Sequence, residues 1–132
     1  MINYKLSFIE SPSEIEINLN SSKSESNRLL IIKSLSDNKI ELKNLSQAND
    51  TVLLKNLIRS NSQNIWDAED AGTTMRFLTS FLAVTKQGVL LTGTERMKKR
   101  PIKILVDALN KIGAEISYTC LLYTSPSPRD VP

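Results

Sequence analysis

In four separate stretches of this chain apolar residues recur every three or four positions, and short apolar or β-branched runs bounded by turn formers lie between them. Nothing else constrains the fold as strongly. A helical stripe and an extended run each need a second layer to cover them, and their alternation predicts an α/β architecture. The first stretch, Ser22 to about Leu35, carries Leu29, Leu30, Ile32 and Leu35, with Ser22 and Glu25 at capping-box spacing. The second holds Val52, Leu53, Leu54, Leu57 and Ile58, with Ser46, Asn49 and Asp50 available as caps. The third starts at Asp70-Ala71-Gly72, continues through Met75, Leu78, Phe81 and Leu82, and stops before Gly88. In the fourth, Pro101 takes the first helical position, Ile104, Leu105, Ala108, Leu109 and Ile112 form one face, and Gly113 ends it.

The extended runs are Tyr4 to Ile9 and Glu14 to Ile17, which Ser11-Pro12-Ser13 turns into a hairpin, then Ile40 to Leu42, Ile65-Trp66, Val89 to Thr92 and Glu115 to Tyr118. Asn61 to Asn64 reads as a loop. At 132 residues the chain is long enough for one domain with a real core. Three of its five prolines fall in the last seven residues, so 119–132 is expected to be a disordered tail. Leu121 to Asp130 also resembles a translated sequencing adapter, and the tail is set aside as non-native. The expected organisation is therefore N-terminal strands over 1–20, one α/β unit over 21–118, and the tail.

The chemistry open to the chain is narrow. It has no histidine and one cysteine, Cys120, so proton transfer falls to Asp, Glu, Lys, Tyr or that thiol, and no internal disulfide can form. No Cys/His/Asp/Glu group has metal-ligand spacing, so neither a metal nor a cofactor is expected. No apolar run reaches the roughly 20 residues that span a bilayer, and Met1-Ile2-Asn3-Tyr4-Lys5 lacks the order of a signal peptide. A cytoplasmic setting without a membrane partner is expected. The net charge of +3 is too mild to argue for nucleic acid, and no aromatic residues interleave with the basic run Arg96 to Arg100 to stack on bases.

Where the cations sit is more informative than their sum. Ser22-Lys23-Ser24-Glu25-Ser26-Asn27-Arg28 crowds two cations into the first turns of a helix, where free backbone N–H groups and the helix dipole favour an anion. Ser24 and Arg28, four apart, share a helical face and can hold one phosphate or carboxylate together. In Asp70-Ala71-Gly72-Thr73-Thr74-Met75-Arg76, Asp70 can cap, Gly72 admits a ligand to the backbone, Thr73 offers a hydroxyl, and Arg76 lies one turn along. In Arg96-Met97-Lys98-Lys99-Arg100-Pro101, Arg100 is the expected boundary residue of the fourth helix. Taken alone, the first two segments also read as capped, solvated helix ends and the third as a solvated basic loop. Three together, in a layer of parallel helices, predict one strongly positive site for a multiply charged metabolite.

These same segments resemble those of the EPSP synthase (3-phosphoshikimate 1-carboxyvinyltransferase) family. Ser22 to Arg28 is similar to its SKSxSNR signature and Asp70 to Arg76 to its NAGTxxR segment. Leu91-Thr92-Gly93-Thr94-Glu95-Arg96-Met97-Lys98-Lys99-Arg100-Pro101 is similar to LTGxxRMxxRP, and Leu105 to Leu109 with Ile112 to Ile116 resembles the continuation.

The resemblance implies transfer of an enolpyruvyl group from phosphoenolpyruvate to the 5-hydroxyl of shikimate 3-phosphate, with phosphate released and no metal. It also implies a usually monomeric enzyme and an inside-out α/β barrel of βαβαββ units, of which this chain would supply about one plus the N-terminal hairpin. By motif position, Lys23 matches a residue contacting both substrates, Ser24 and Arg28 match shikimate 3-phosphate binders, and Gly72 and Arg100 match the phosphoenolpyruvate site where glyphosate competes. Asp70 and Arg96 match positions near that site. Ser21 stands where many members have Gly, Asp70 where Asn is commoner, and Phe77 where Pro is frequent, a change expected to bear on glyphosate sensitivity. The catalytic acid and base of the family lie in segments this chain lacks, so no turnover by the chain alone is expected. The alternatives are a UDP-N-acetylglucosamine enolpyruvyltransferase-like enzyme and a small basic nucleic-acid-binding module.

Overall fold

The computed structural model describes residues 3–5, 7, 16, 19–37, 39–60 and 63–119. The elements are α1 (Lys23–Leu35), α2 (Asn49–Arg59), β1 (Ile65–Asp67), α3 (Gly72–Thr85), β2 (Leu90–Thr92), α4 (Glu95–Lys98) and α5 (Lys103–Lys111). β1 and β2 pair in parallel, with Ile65 opposite Leu90, Trp66 opposite Leu91 and Asp67 opposite Thr92. Since a parallel pair needs a crossover, α3 supplies it, and β1–α3–β2 is a βαβ unit. The α/β expectation holds in that form.

The core is where the helices meet the sheet. Strand alternation turns Trp66 inward and leaves Ile65 and Asp67 outside. Trp66 packs with Leu30 of α1, Leu54 and Leu57 of α2, and Leu78, Phe81 and Leu82 of α3, while its indole N–H donates to the Gln63 carbonyl at 3.1 Å. Phe77 lies partly buried against this cluster. The expected stripe of α1 is covered only at Leu30, because Ser26 and Asn27 take the inward positions and Ile32 and Leu35 stay half exposed. The face expected for α5 differs more. Ile104 is 76% and Ile112 82% exposed, and the fully buried residue is Val106.

The helix ends follow local chemistry. Ser22 caps α1 as expected, its hydroxyl oxygen accepting from the Glu25 N–H at 3.3 Å. α2 starts one residue after Ala48, which has no side chain to cap with, so Ser46 accepts instead from the Ala48 N–H just before the helix. α3 ends at Thr85 with Lys86 in the left-handed region, a position more often given to glycine. At the end of α5, Gly113 has φ 100°, its N–H donates to the Asn110 carbonyl and the Ala114 N–H to that of Leu109. These are the two bonds of a Schellman stop, and only glycine adopts that φ without strain.

Three expectations fail, each for a physical reason. Ile40 to Leu42 is not a strand, having no partner strand among the described residues. Glu115 to Tyr118 is not one either, because the Asn110 side chain satisfies both the N–H and the carbonyl of Ile116 and folds the segment back on α5. Pro101 is not the first residue of a helix. The Thr94 hydroxyl starts the separate short α4 by accepting from the Met97 N–H, and α5 begins only at Lys103. Most of the hairpin expected over Tyr4 to Ile17, and the tail beyond Thr119, lie outside the described residues; Tyr4, Lys5, Ser7 and Glu16, which are described, are not in a strand.

Candidate functional site

The Ser22–Arg28 segment divides between two faces of α1. Ser26 is buried and its hydroxyl oxygen accepts from the Ser46 N–H at 2.9 Å, which ties α1 to the chain entering α2. Asn27 is fully buried, and its amide nitrogen and oxygen have no partner among the described residues. Ser24 and Arg28 face outward, as their spacing predicts, and make no side-chain hydrogen bond or ion pair among the described residues. Lys23 does not point freely to solvent. Its ammonium lies 3.2 Å from the Asp50 carboxylate, in a pair exposed enough to be worth about 0.2–1 kcal/mol.

Asp50 links that lysine to the rest of the site. It is the second residue of α2, and its backbone carbonyl accepts from the hydroxyl of Thr74, the third residue of α3, at 3.1 Å. One series of contacts, Lys23 to Asp50 to Thr74, therefore joins the first turns of three helices. Sequence reasoning treated Asp50 as a cap and assigned Thr74 no role. The available signal was an acid in the first turn of the helix following a lysine-bearing one, and that pattern alone does not choose between a dipole partner and an ion pair.

The second group lies at the carboxyl ends of the two strands, where open α/β sheets leave a crevice for ligands. The loop after β1 carries Asp70 and Gly72, and the loop after β2 carries Thr94 and, past α4, Arg100. These loops are stitched together. Ala68 N–H donates to the Thr92 carbonyl at 2.8 Å, Thr94 N–H to the Glu69 carbonyl at 3.2 Å, and the Thr94 hydroxyl to the Asp70 carboxylate. Asp70 thus caps the link between loops and not α3, whose start has no side-chain cap. Thr73, the next residue of α3, is partly buried.

Gly72 brings the cations together. A Cβ built on it would sit 2.5 Å from Nη1 of Arg100 and 3.3 Å from Nη1 of Arg76. Two guanidinium groups therefore converge on the bare first residue of a 14-residue helix whose leading N–H groups lack a side-chain acceptor. Arg76 is already engaged, donating to the carbonyls of Gly72 at 3.2 Å and Pro101 at 3.1 Å, so it holds the two loops in register. Arg100 closes the last turn of α4 through its own N–H to the Met97 carbonyl, which corrects its expected place at a helix start. Arg96 lies exposed on α4 and takes part in none of these contacts among the described residues. Lys98 pairs with Glu95 at 2.7 Å and, chiefly through that hydrogen bond, holds the Glu95 carboxyl below the usual range. Met97 in the middle of the basic run is buried, so the run is not one uniform cationic strip.

Chemically, this corner offers positive charge, N–H donors and one hydroxyl, a combination that binds and orients an oxyanion. A cavity of about 370 Å³ lies elsewhere, at the opposite ends of the strands, beside Asn64, Trp66 and Val89. Among the described residues no group of three His, Cys, Asp or Glu could hold a metal ion, and no helix is long and apolar enough to cross a membrane.

Comparison with known proteins agrees with the motifs. The family described as EPSP synthase (3-phosphoshikimate 1-carboxyvinyltransferase) matches residues 54–126. A protein of Bacteroides fragilis (strain YCH46) named 3-phosphoshikimate 1-carboxyvinyltransferase is 49% identical over 113 residues, covering 83% of this chain and 27% of that protein. Proteins of the same name from Buchnera aphidicola subsp. Cinara cedri (strain Cc) and Proteus mirabilis (strain HI4320) are 37% and 36% identical, covering 78% and 77% of this chain. The chain spans 27%, 29% and 30% of the length of these three relatives. No solved structure matches it.

Proposed function

This chain belongs to the EPSP synthase family, and from that premise we propose that it supplies the anion-holding corner of an enzyme that moves an enolpyruvyl group from phosphoenolpyruvate to shikimate 3-phosphate. In that reaction the 5-hydroxyl oxygen attacks C2 of phosphoenolpyruvate while its methylene carbon takes up a proton. The tetrahedral intermediate then loses that carbon's proton and the phosphate, leaving the enolpyruvyl ether. Both substrates are polyanions. The observation that carries the reading is the convergence of the Arg100 and Arg76 guanidiniums on Gly72, at a helix start that no side chain caps.

In this reading Arg100 and the backbone at Gly72 hold the phosphoenolpyruvate phosphate, with Thr73 beside them and Arg76 fixing the loops. Ser24 and Arg28 hold shikimate 3-phosphate from the outer face of α1, and Lys23 exchanges its Asp50 partner for substrate oxygens. Asp70 and Arg96 flank the site, Asp70 occupied by the Thr94 hydroxyl so that its charge is partly spent. The chain would form one part of the family's inside-out α/β barrel, in a monomeric cytoplasmic enzyme without cofactor.

Calorimetric titration tests the anion site directly. Phosphoenolpyruvate is expected to bind the chain saturably and to lose at least tenfold in affinity when Arg100 becomes Met, one charge-assisted contact being worth about 1.5–3 kcal/mol. Absence of saturable heat would overturn the reading. Turnover is a separate matter. With both substrates in a coupled phosphate-release assay, the chain is expected to release phosphate no faster than its Lys23→Ala variant, since in this reading its residues bind and position the substrates. A rate above that control would place the catalytic groups within these residues.

A further inference from the structure

We infer that α2 carries a second anion site, separate from the Gly72 corner, which takes a phosphate-sized oxyanion between Lys55 and Arg59. A cleft of about 190 Å³ runs along one face of α2, where Thr51, Lys55, Asn56 and Arg59 face Ser46 and Gln47 of the preceding segment. Its polar lining contains two cations and no acid. Lys55 and Arg59 are one turn apart, so like charges sit side by side on one helix face, an arrangement that repels unless a counter-ion shares them. Neither forms an ion pair or a side-chain hydrogen bond among the described residues.

Beneath the cleft Thr51 is 1% exposed, and its hydroxyl, without a partner among the described residues, is sealed from solvent and contributes nothing to the cleft. Arg59 alone is explained as a cation in the last turn complementing the helix dipole. That account leaves out Lys55, which lies outside the last turn. One oxyanion satisfies both cations: it neutralises the ammonium and accepts the guanidinium fork in bidentate fashion, with the Gln47 and Asn56 amides at hand. The volume suits a phosphate group with a little water and falls below the 300–1,000 Å³ of sites for larger organic ligands.

The probe is inorganic phosphate, titrated into the isotope-labelled chain and followed by amide chemical shifts, with chloride at matched ionic strength as the comparison. Saturable shifts are expected at Gln47, Thr51, Asn56 and Arg59 with phosphate and not with chloride. Lys55→Met and Arg59→Met are each expected to weaken that response about fivefold, being surface changes on a helix. Thr51→Val, which keeps the shape and removes a hydroxyl the cleft does not reach, is the control and is expected to leave the response unchanged. Shifts confined to the surroundings of Gly72 and Arg100, a non-saturating drift common to both salts, or unchanged affinity in Lys55→Met and Arg59→Met would overturn the proposal.

Discussion

Replacing Gly72 by alanine is expected to cut phosphoenolpyruvate affinity about thirtyfold, a loss of about 2 kcal/mol, while leaving the stability of the chain within about 0.5 kcal/mol of the parent. The two effects separate because of what the new methyl meets. It would lie 2.5 Å from Nη1 of Arg100, a distance no real pair tolerates, yet that atom is the tip of an exposed, flexible side chain. The arginine swings aside at little cost to the fold. Gly72 is not in a left-handed conformation, and alanine is the better helix former, so the backbone accepts the change. What is lost is the placement of the guanidinium over the uncapped start of α3, together with room for an oxyanion to reach its N–H groups. Calorimetry and thermal unfolding measure both quantities on the same sample. Gly88→Ala is the control, since nothing lies within 4 Å of the Cβ it would add. Unchanged affinity in Gly72→Ala, or a collapse of its melting temperature, would contradict this account.

The same residue shows what the sequence could reveal about the site. Gly72, Arg76 and Arg100 were legible as members of helix-start segments, because glycine, hydroxyl and cation at those spacings carry a physical meaning before any neighbour is known. Their mutual arrangement was not. Arg100 stands 28 positions beyond Gly72 and reaches it through the crossover of β1, α3 and β2, a non-local contact that periodicity does not encode. The Asp50 pairing with Lys23 was hidden for the same reason, being a contact between two helices and 27 residues. Secondary structure was clearest where a side chain decides locally, as at Ser22 and Gly113, and weakest where a strand needs a partner. Ile40 to Leu42 and Glu115 to Tyr118 have strand-forming residues but no neighbour among the described residues to complete their ladders. Helical periodicity marked Ile32, Leu35, Ile104 and Ile112 as apolar face positions but could not say that they stay half exposed or exposed, because burial depends on what packs against the face.

Gly93→Ala is expected to do the reverse of Gly72→Ala and damage the fold first. Its added Cβ would lie 2.8 Å from the Glu69 carbonyl oxygen and 2.7 Å and 2.9 Å from Cγ and Cβ of Met97, a residue only 3% exposed. None of these is a free side-chain tip. The Glu69 carbonyl is backbone, held by the Thr94 N–H and belonging to a residue already at φ 49°. Relief therefore requires the loops after β1 and β2 to part, which breaks that hydrogen bond and disturbs the Asp70–Thr94 contact. Overpacking of this kind costs about 1–3 kcal/mol and the lost hydrogen bond about 1 more. Against the 5–15 kcal/mol typical of a whole domain, that is a large share, and with m-values of about 1–3 kcal/mol per molar the urea midpoint should fall by roughly 1–2 M. Binding should fall with it, because Arg100 rides on the displaced loop. Trimming the neighbour in a Gly93→Ala, Met97→Ala double variant leaves the clash with the Glu69 carbonyl and is expected not to restore the midpoint. Recovery to the parent value would show that side-chain crowding, and not the junction of the two loops, is what forbids a side chain at position 93.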